Sequence, residues 1–297
     1  VSIDLRLLRY FVATADAGSA TRAAADLHVT QPVLSRQLRQ LEHQLGLRLF
    51  ERDGRRLRLT ATAEDFLTEA RALLSHAEHV ERAAESLASG RLTALHLAAL
   101  TTTLTDVLAP FIATLGPDDP TPLVRELDPR GAVAALRAGA DLAVVTRSPS
   151  RAVASRPLAV LPVWAYVRPD DEWAARGSVP VTELAGRRLV VLTPDLRPRT
   201  LLDAAMDAAG VGYGDHVEVG NAQVAQAIAA AGRGVAVVSD DPRFDLVPLR
   251  IDGPTGIVRI RLYAAWDPRH HAAPTLAAIA DRLAAFCVER YGPEVAP

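Results

Sequence analysis

The chain has 297 residues, 49% of them apolar and 23% charged, with a formal net charge of −2. That length exceeds one ordinary core, so two or three domains are expected, and no apolar stretch is long enough to cross a bilayer. A single cysteine, Cys287, excludes an intrachain disulfide; the N-terminus lacks an export signal's apolar core, so a cytoplasmic location is expected.

The charge is unevenly laid out. Residues 1–62 carry ten arginines against six acids (+4), residues 63–90 two against six (−4), and residues 91–297 carry 21 against 23 (−2). A positive head on an otherwise acidic chain suits a polyanionic partner.

In chain order, Leu5, Leu8, Phe11, Val12 and Ala15 recur at helical spacing and Gly18 stops the run. Ser19 caps a second helix with Ala20, Ala23, Ala24 and Leu27 inward, and His28-Val29 makes a turn. Thr30 is placed to cap a third helix, where Pro32 is tolerated in the first turn. Leu34, Leu38, Leu41 and Leu45 form its core face, Val33 lies at that face's edge, and Gly46 closes it. Its polar face carries Gln31, Ser35, Arg36 and Arg39. In a helix-turn-helix such a face meets base edges at its N-terminal half: Gln and Arg can bond adenine and guanine edges, while Ser and further Arg serve phosphates. Asp53-Gly54 between two alternating runs signals a hairpin, a wing whose Arg52, Arg55 and Arg56 could reach phosphates or a minor groove.

This segment resembles the winged helix-turn-helix of the LysR-type transcriptional regulators. Leu8-Arg9-Tyr10-Phe11, Gly18-Ser19, Ala23-Ala24, Leu27-His28-Val29, Gln31-Pro32, Leu34-Ser35-Arg36, Leu41-Glu42, Leu45-Gly46, Leu49-Phe50-Glu51-Arg52 and Leu59-Thr60 carry the resemblance over some sixty residues. It implies base and phosphate contacts at Gln31, Pro32, Ser35, Arg36 and Arg52. The family usually has glycine near position 63, where this chain has Ala63, so the start of the next helix is left open.

Residues 63–88 contain no proline or glycine. Phe66, Ala70, Leu73, Ala77, Val80, Ala84 and Leu87 follow the alternating four-three spacing of a coiled-coil seam, the expected dimerisation face. The resemblance also implies paired linker helices that present two heads. His76 and His79 lie three apart with no cysteine or third histidine nearby in sequence, so no metal is expected there, and no cofactor is expected. Ser89-Gly90 marks a boundary.

Beyond it, apolar runs at 95–100, 123–128, 142–147, 188–193, 216–220 and 235–239 read as strands. Helical patterns follow near 104–115, 131–138, 199–209, 221–231 and 274–290, an alternation that argues for parallel α/β sheets. Two longer runs, 158–168 and 257–267, read as strands crossing between lobes. The expected class is a multidomain α+β protein: a winged helix-turn-helix at 1–62, a linker helix at 63–90, and a two-lobed α/β effector domain at 91–297. Lobe I is expected at 91–162 with 268–297, and lobe II at 163–267. The domain resembles the periplasmic-binding-protein-like effector domain of the LysR family, on Leu136-Arg137-Ala138-Gly139-Ala140-Asp141-Leu142-Ala143 and Ala231-Gly232-Arg233-Gly234-Val235-Ala236.

Ligands of open α/β sheets sit beyond strand carboxyl ends, near helix N-termini. That selects Thr101, Thr102 and Thr103, then Thr146, and across the cleft Thr193 and Arg199; helix capping competes for the first three. A small organic anion is the default effector, since helix N-termini favour negative charge. Asp106, Asp240 and Asp241 oppose it and leave an amino acid or neutral polar ligand open. Cys287 reads as a packing residue and His270-His271 as a solvated loop.

No nucleophile elbow, Walker loop, dinucleotide fingerprint or metal-helix signature is present, so no catalytic residue is assigned and an enzyme is not expected. A solute-binding protein would explain the α/β part alone, and a constitutive DNA-binding protein with a ligand-free sensor stays a variant. The expected partners are double-stranded DNA at an interrupted dyad operator, a small effector, and a second copy of the chain. The resemblance adds a tetramer as the common assembly and RNA polymerase as a further contact.

Overall fold

The N-terminal elements begin and end where capping chemistry puts them. Helix α1 (Leu5–Ala17) starts at Asp4, whose carboxylate accepts the Arg6 N–H at 2.8 Å, and stops at Gly18 in the left-handed conformation, φ 60°. Helix α2 (Ala20–Asp26) is capped by Ser19. The turn places His28 at φ 53°. Helix α3 (Gln31–Leu45) has Thr30 at its N-cap; the Thr30 hydroxyl makes no capping bond, and Pro32 supplies the pre-set φ instead. Strands β1 (Phe50–Asp53) and β2 (Arg56–Leu59) pair antiparallel, Phe50 opposite Leu59 and Asp53 opposite Arg56.

The computed structural model describes residues 3–53, 56–89, 92–127 and 131–297, apart from the side chains of residues 52, 53, 56, 79, 82, 83, 85, 86 and 89. The chain divides into two compact units, residues 1–90 grouped with 137–139, and the remainder.

Helix α4 (Ala61–Ser89) starts two residues ahead of its expected position. Thr60 is the reason: its hydroxyl accepts the Ala63 N–H at 3.2 Å and donates to the Arg48 carbonyl at 2.7 Å, tying the new helix to the wing. Ala63 is fully buried, so a methyl group is accommodated at this position. The head's core gathers Leu7, Leu8, Phe11, Ala23, Ala24, Leu34, Leu38, Leu41 and Leu49 with Ala63, Ala70 and Leu74 of α4. The expected seam is therefore corrected at its start. Ala70 is buried and Phe66 packs on Phe11 inside the head, so neither is available to a second chain. Leu73, Val80 and Leu87 are 39%, 54% and 69% exposed, and they recur every seven residues.

The second unit opens with β3 (Ala94–Ala99), α5 (Thr101–Thr103), a π-turn at Leu104–Leu108 and α6 (Ala109–Ile112). Pro110 cannot donate to the Asp106 carbonyl four residues back. The Tyr291 hydroxyl makes that bond instead, at 2.8 Å. There follow β4 (Thr121–Glu126), α7 (Ala132–Arg137), β5 (Leu142–Val145) and β6 (Ala154–Pro162). Next come β7 (Trp164–Val167), β8 (Ser178–Pro180), α8 (Val181–Leu184), β9 (Leu189–Leu192), α9 (Arg197–Ala208) and β10 (His216–Val219). The chain ends with α10 (Ala222–Ala230), β11 (Val235–Val238), β12 (Val247–Gly253), β13 (Gly256–Ile257), β14 (Arg259–Trp266), α11 (Ala273–Tyr291) and a 3-10 turn at Pro293–Val295.

Lobe I is the sheet β4-β3-β5-β14-β6, and lobe II the sheet β10-β9-β11-β7-β12-β13 with β8 on β12. Both are mixed rather than purely parallel: β3 runs parallel to β4 and β5, β9 to β10 and β11, and β8 to β12, but β14 pairs antiparallel with β5 and β6, and β7 with β11 and β12. The expected run 158–168 breaks at buried Val163 into a strand of each lobe. The run expected at 257–267 lies in lobe I from Arg259 onward, because β14 pairs with β5 and β6. Lobe I thus resumes at about residue 259, not 268. Where the chain crosses between lobes, the Val163 N–H donates to the Val258 carbonyl at 2.9 Å, tying the two crossings together.

Two further expectations meet the structure at the end of lobe I. Cys287 is buried in the lobe I core, and burial pushes its thiol up to about 11. His270-His271 is not a solvated loop. Asp141 is buried and takes the His96 N–H at 2.7 Å, the His96 ring at 3.2 Å and the His270 ring at 3.2 Å, with His271 stacked on His270. Burial opposes the Asp141 charge, but the bonds from His270 and the His96 amide outweigh it and hold the carboxyl below its ordinary range.

Candidate functional site

Helix α3 turns its leucines into the head and leaves Gln31, Pro32, Arg36 and Arg39 exposed, with Ser35 half-buried between them. The Gln31 amide donates to the Ser35 hydroxyl at 2.9 Å, and the Arg39 guanidinium to the Ser35 carbonyl at 3.2 Å. Arg36 reaches solvent without a protein partner among the described residues. Arg52 and Arg56 sit on the paired strands of the wing; their side chains, and Arg55 altogether, lie outside the described residues. The wing's root is set by a residue with no assigned role in the sequence reading: the Glu42 carboxylate accepts the Leu49 N–H at 2.8 Å and the Phe50 N–H at 3.3 Å. An acid on the polar side of an amphipathic helix carries no signal of that job until the hairpin folds back on it.

The second feature is a cleft of about 320 Å³ between the lobes. Thr101, Thr102, Thr103, Thr146 and Thr193 all line it. Arg199 does not, which corrects its assignment. It is buried on the inner face of α9, donating to Asp203 at 2.8 Å, Glu218 at 2.6 Å and the Leu192 carbonyl at 3.0 Å, with its guanidinium stacked on the Tyr213 ring. Its helical phase explains this, because position 199 shares a face with core residues Leu202 and Met206. Arg197, two residues earlier, is the arginine that faces the cleft.

The wall opposite the threonines is the β11 exit, Ser239-Asp240-Asp241. It meets lobe I through an ordered set of bonds. The Thr102 hydroxyl donates to Asp240 Oδ1 at 3.1 Å, and Asp106 accepts the Asp241 N–H at 2.9 Å and Arg243 at 2.6 Å. Arg290 donates to Asp241 at 2.8 Å. Fully buried Gln226 steadies the loop from behind, donating to the Asp241 carbonyl and accepting the Arg243 N–H. Asp106 therefore works as an interlobe partner, more than as a charge on the dipole of its own helix. Burial raises its carboxyl despite these bonds. Burial, and then the neighbouring Asp106 charge, push Asp240 up to about 7.

Comparison with known proteins agrees with this geometry. Residues 5–64 match the bacterial regulatory helix-turn-helix protein family of lysR type, and residues 85–287 match the LysR substrate binding domain. The HTH-type transcriptional regulator TfdT of Cupriavidus pinatubonensis is 38% identical over 112 residues; the match takes 38% of this chain and spans about half (49%) of TfdT. The regulatory protein NocR of Agrobacterium fabrum is 28% identical over 241 residues, 80% of each chain. Among solved structures, full-length CbnR complexed with its target DNA is 24% identical, covers 96% of this chain and 100% of that one, and superposes with a TM-score of 0.74.

Proposed function

The chain belongs to the LysR family of bacterial regulatory proteins, and from that premise we propose that it is a sequence-specific DNA-binding transcriptional regulator controlled by a small molecule in its interlobe cleft. The observation that carries this reading is α3: a helix behind a short helix and turn, whose N-terminal half presents Gln31, Pro32 and Arg36 to solvent beside half-buried Ser35, with exposed Arg39 just beyond. Arg52, Arg55 and Arg56 of the wing are proposed as phosphate or minor-groove contacts beside it. The assigned parts are the DNA-binding head at 1–62, the linker helix at 63–90 and the effector domain at 91–297. We place the effector contacts at Thr101, Thr102, Thr103, Thr146 and Thr193, with Arg197 in place of Arg199.

Two heads held by the exposed Leu73, Val80 and Leu87 stripe would read an interrupted dyad in cytoplasmic DNA. Effector-driven change in lobe closure would then alter the arrangement of subunits, and RNA polymerase would read the result. CbnR bound to its target DNA supports this by likeness of fold.

The test is a selection of genomic fragments bound by the purified protein, with Arg36→Ala as control. A shared dyad motif lost in the variant is the expected result. In direct titration the variant should lose roughly 1–3 kcal/mol of specific binding and relax its base preference at one position. Unchanged operator affinity would remove Arg36 from the interface. The stripe is tested separately: Leu73→Glu with Val80→Glu should convert dimers to monomers in sedimentation, since charge at seam positions opposes helix pairing. A double variant that sediments like the parent would defeat the pairing surface.

A further inference from the structure

The charges around the cleft do not balance locally, and the imbalance has opposite sign at its two ends. At the β11 exit, Asp106 is paired with Arg243 and Asp241 with Arg290. Asp240 is left over. It is 2% exposed, and among the described residues its Oδ1 meets only the Thr102 hydroxyl and its Oδ2 has no hydrogen-bond partner. A buried carboxylate oxygen without a donor is costly, and native sites that keep one are commonly completed by a ligand, water or ion.

At the other end, Arg147 of lobe I and Arg197 of lobe II line an extension of the same space. Neither has an ion-pair partner among the described residues, and each lies within the other's field. Asp195 lies beside them, exposed at the rim and bonded to neither. An anion alone would satisfy the arginines and leave Asp240 uncompensated; a cation alone would do the reverse.

We propose that the cleft takes a small zwitterion, an amine-bearing carboxylic acid whose ammonium group bonds Asp240 and whose carboxylate is held between Arg147 and Arg197. The assignment rests on reading the cleft as the effector site. It replaces the default anion, and it bridges the lobes at the carboxylate, which Arg147 of lobe I and Arg197 of lobe II share, while the ammonium sits on Asp240 of lobe II. Charge-assisted bonds of both signs would then draw Arg147 of lobe I toward Arg197 and Asp240 of lobe II. The Asp240–Thr102 bond marks where the amine enters, because the ammonium supplies the donors that Oδ2 lacks and shares Oδ1 with the hydroxyl.

The experiment is calorimetric titration of the full-length protein with γ-aminobutyrate, δ-aminovalerate, ε-aminocaproate, L-ornithine, L-lysine and L-arginine, alongside butyrate, caproate, butylamine and hexylamine. The spread of lengths is needed because the charged ends lie on different walls. At least one zwitterion should bind, with its single-charge counterparts roughly tenfold weaker or more. Asp240→Asn should lose about tenfold or more for the zwitterion and nothing for the carboxylate counterpart, and Arg197→Gln about tenfold or more for the zwitterion and nothing for the amine counterpart. Failure of every zwitterion overturns the proposal, and so does a zwitterion bound as tightly by Asp240→Asn as by the parent. Binding indifferent to Asp240→Asn, Arg197→Gln and Thr103→Val together would move the ligand out of the cleft and overturn the effector site itself. A zwitterion that shows the expected losses but leaves the operator footprint unchanged would uphold this proposal and overturn effector control of DNA binding.

Discussion

Phe11→Ala should cost the head about 3–5 kcal/mol and abolish operator binding, although Phe11 touches no DNA. Its ring is fully buried in α1 and packs against Phe50 of the wing and Phe66 of α4, both centroids 5.6 Å away. Three elements that are distant in sequence share that one side chain. Truncation leaves a cavity that short helices cannot close without moving, and the wing and α4 would lose their common support. Hydrogen exchange on the full-length protein checks this. Protection should fall across residues 5–74 while the strands β3, β5, β9 and β11 keep theirs. Protection in the head unchanged from the parent would show that Phe11 is not the keystone. The contrast with Arg36→Ala is the useful part: that exposed side chain should cost binding but no stability.

The head was readable because its signals are local. Gly18 and Gly46 each stop a helix from the left-handed region, Ser19 caps the helix next to it, and Asp53-Gly54 lies between runs that pair. The central strands β3, β5, β9 and β11 were readable as short apolar runs because they are covered on both faces. What escaped depends on partners far along the chain. Strand β12 is not among the predicted runs, since only Leu249 and Ile251 point inward and Pro248 and charged Arg250 and Asp252 break up the apolar run that marks the central strands. The lobe that owns β14 is decided by its antiparallel pairing with β6, which no local pattern announces.

The candidate sites divide along the same line. The polar face of α3 followed from helical phase alone. In the cleft the threonines follow from their place after strands, whereas the two arginines differ only in helical phase, which turns Arg199 into the core with Leu202 and Met206 and leaves Arg197 on the cleft. The Asp240–Thr102 contact spans 138 residues, and only folding brings it together. His270-His271 shows the same limit, since a histidine pair in a polar stretch gives no hint that Asp141 buries it.

The second large effect belongs to Asp240. Asp240→Asn should stabilise the effector domain by on the order of 2–4 kcal/mol at pH 8 and by little at pH 4. Burial first, then Asp106, raise the Asp240 carboxyl from 3.8 to about 7, opposed by Thr102 and Arg243 and aided by Asp241. The Tyr166 hydroxyl, the other polar group packed there, donates to the Asp240 backbone carbonyl and leaves the carboxylate unaided. The sign follows from proton counting. Between pH 4 and 7 the folded chain keeps a proton that the unfolded chain releases, so this group's contribution is fully present below about pH 4 and lost as pH rises through 7. Asparagine keeps the shape and the Thr102 contact without the charge, so the difference between variant and parent should open across that window and stay level above it. Denaturant unfolding at unit pH steps measures it. A difference that is flat from pH 4 to 8 would mean that Asp240 is ionised throughout at no cost. The buried oxygen would then already be satisfied, and the cleft would have no unmet negative charge to offer a ligand.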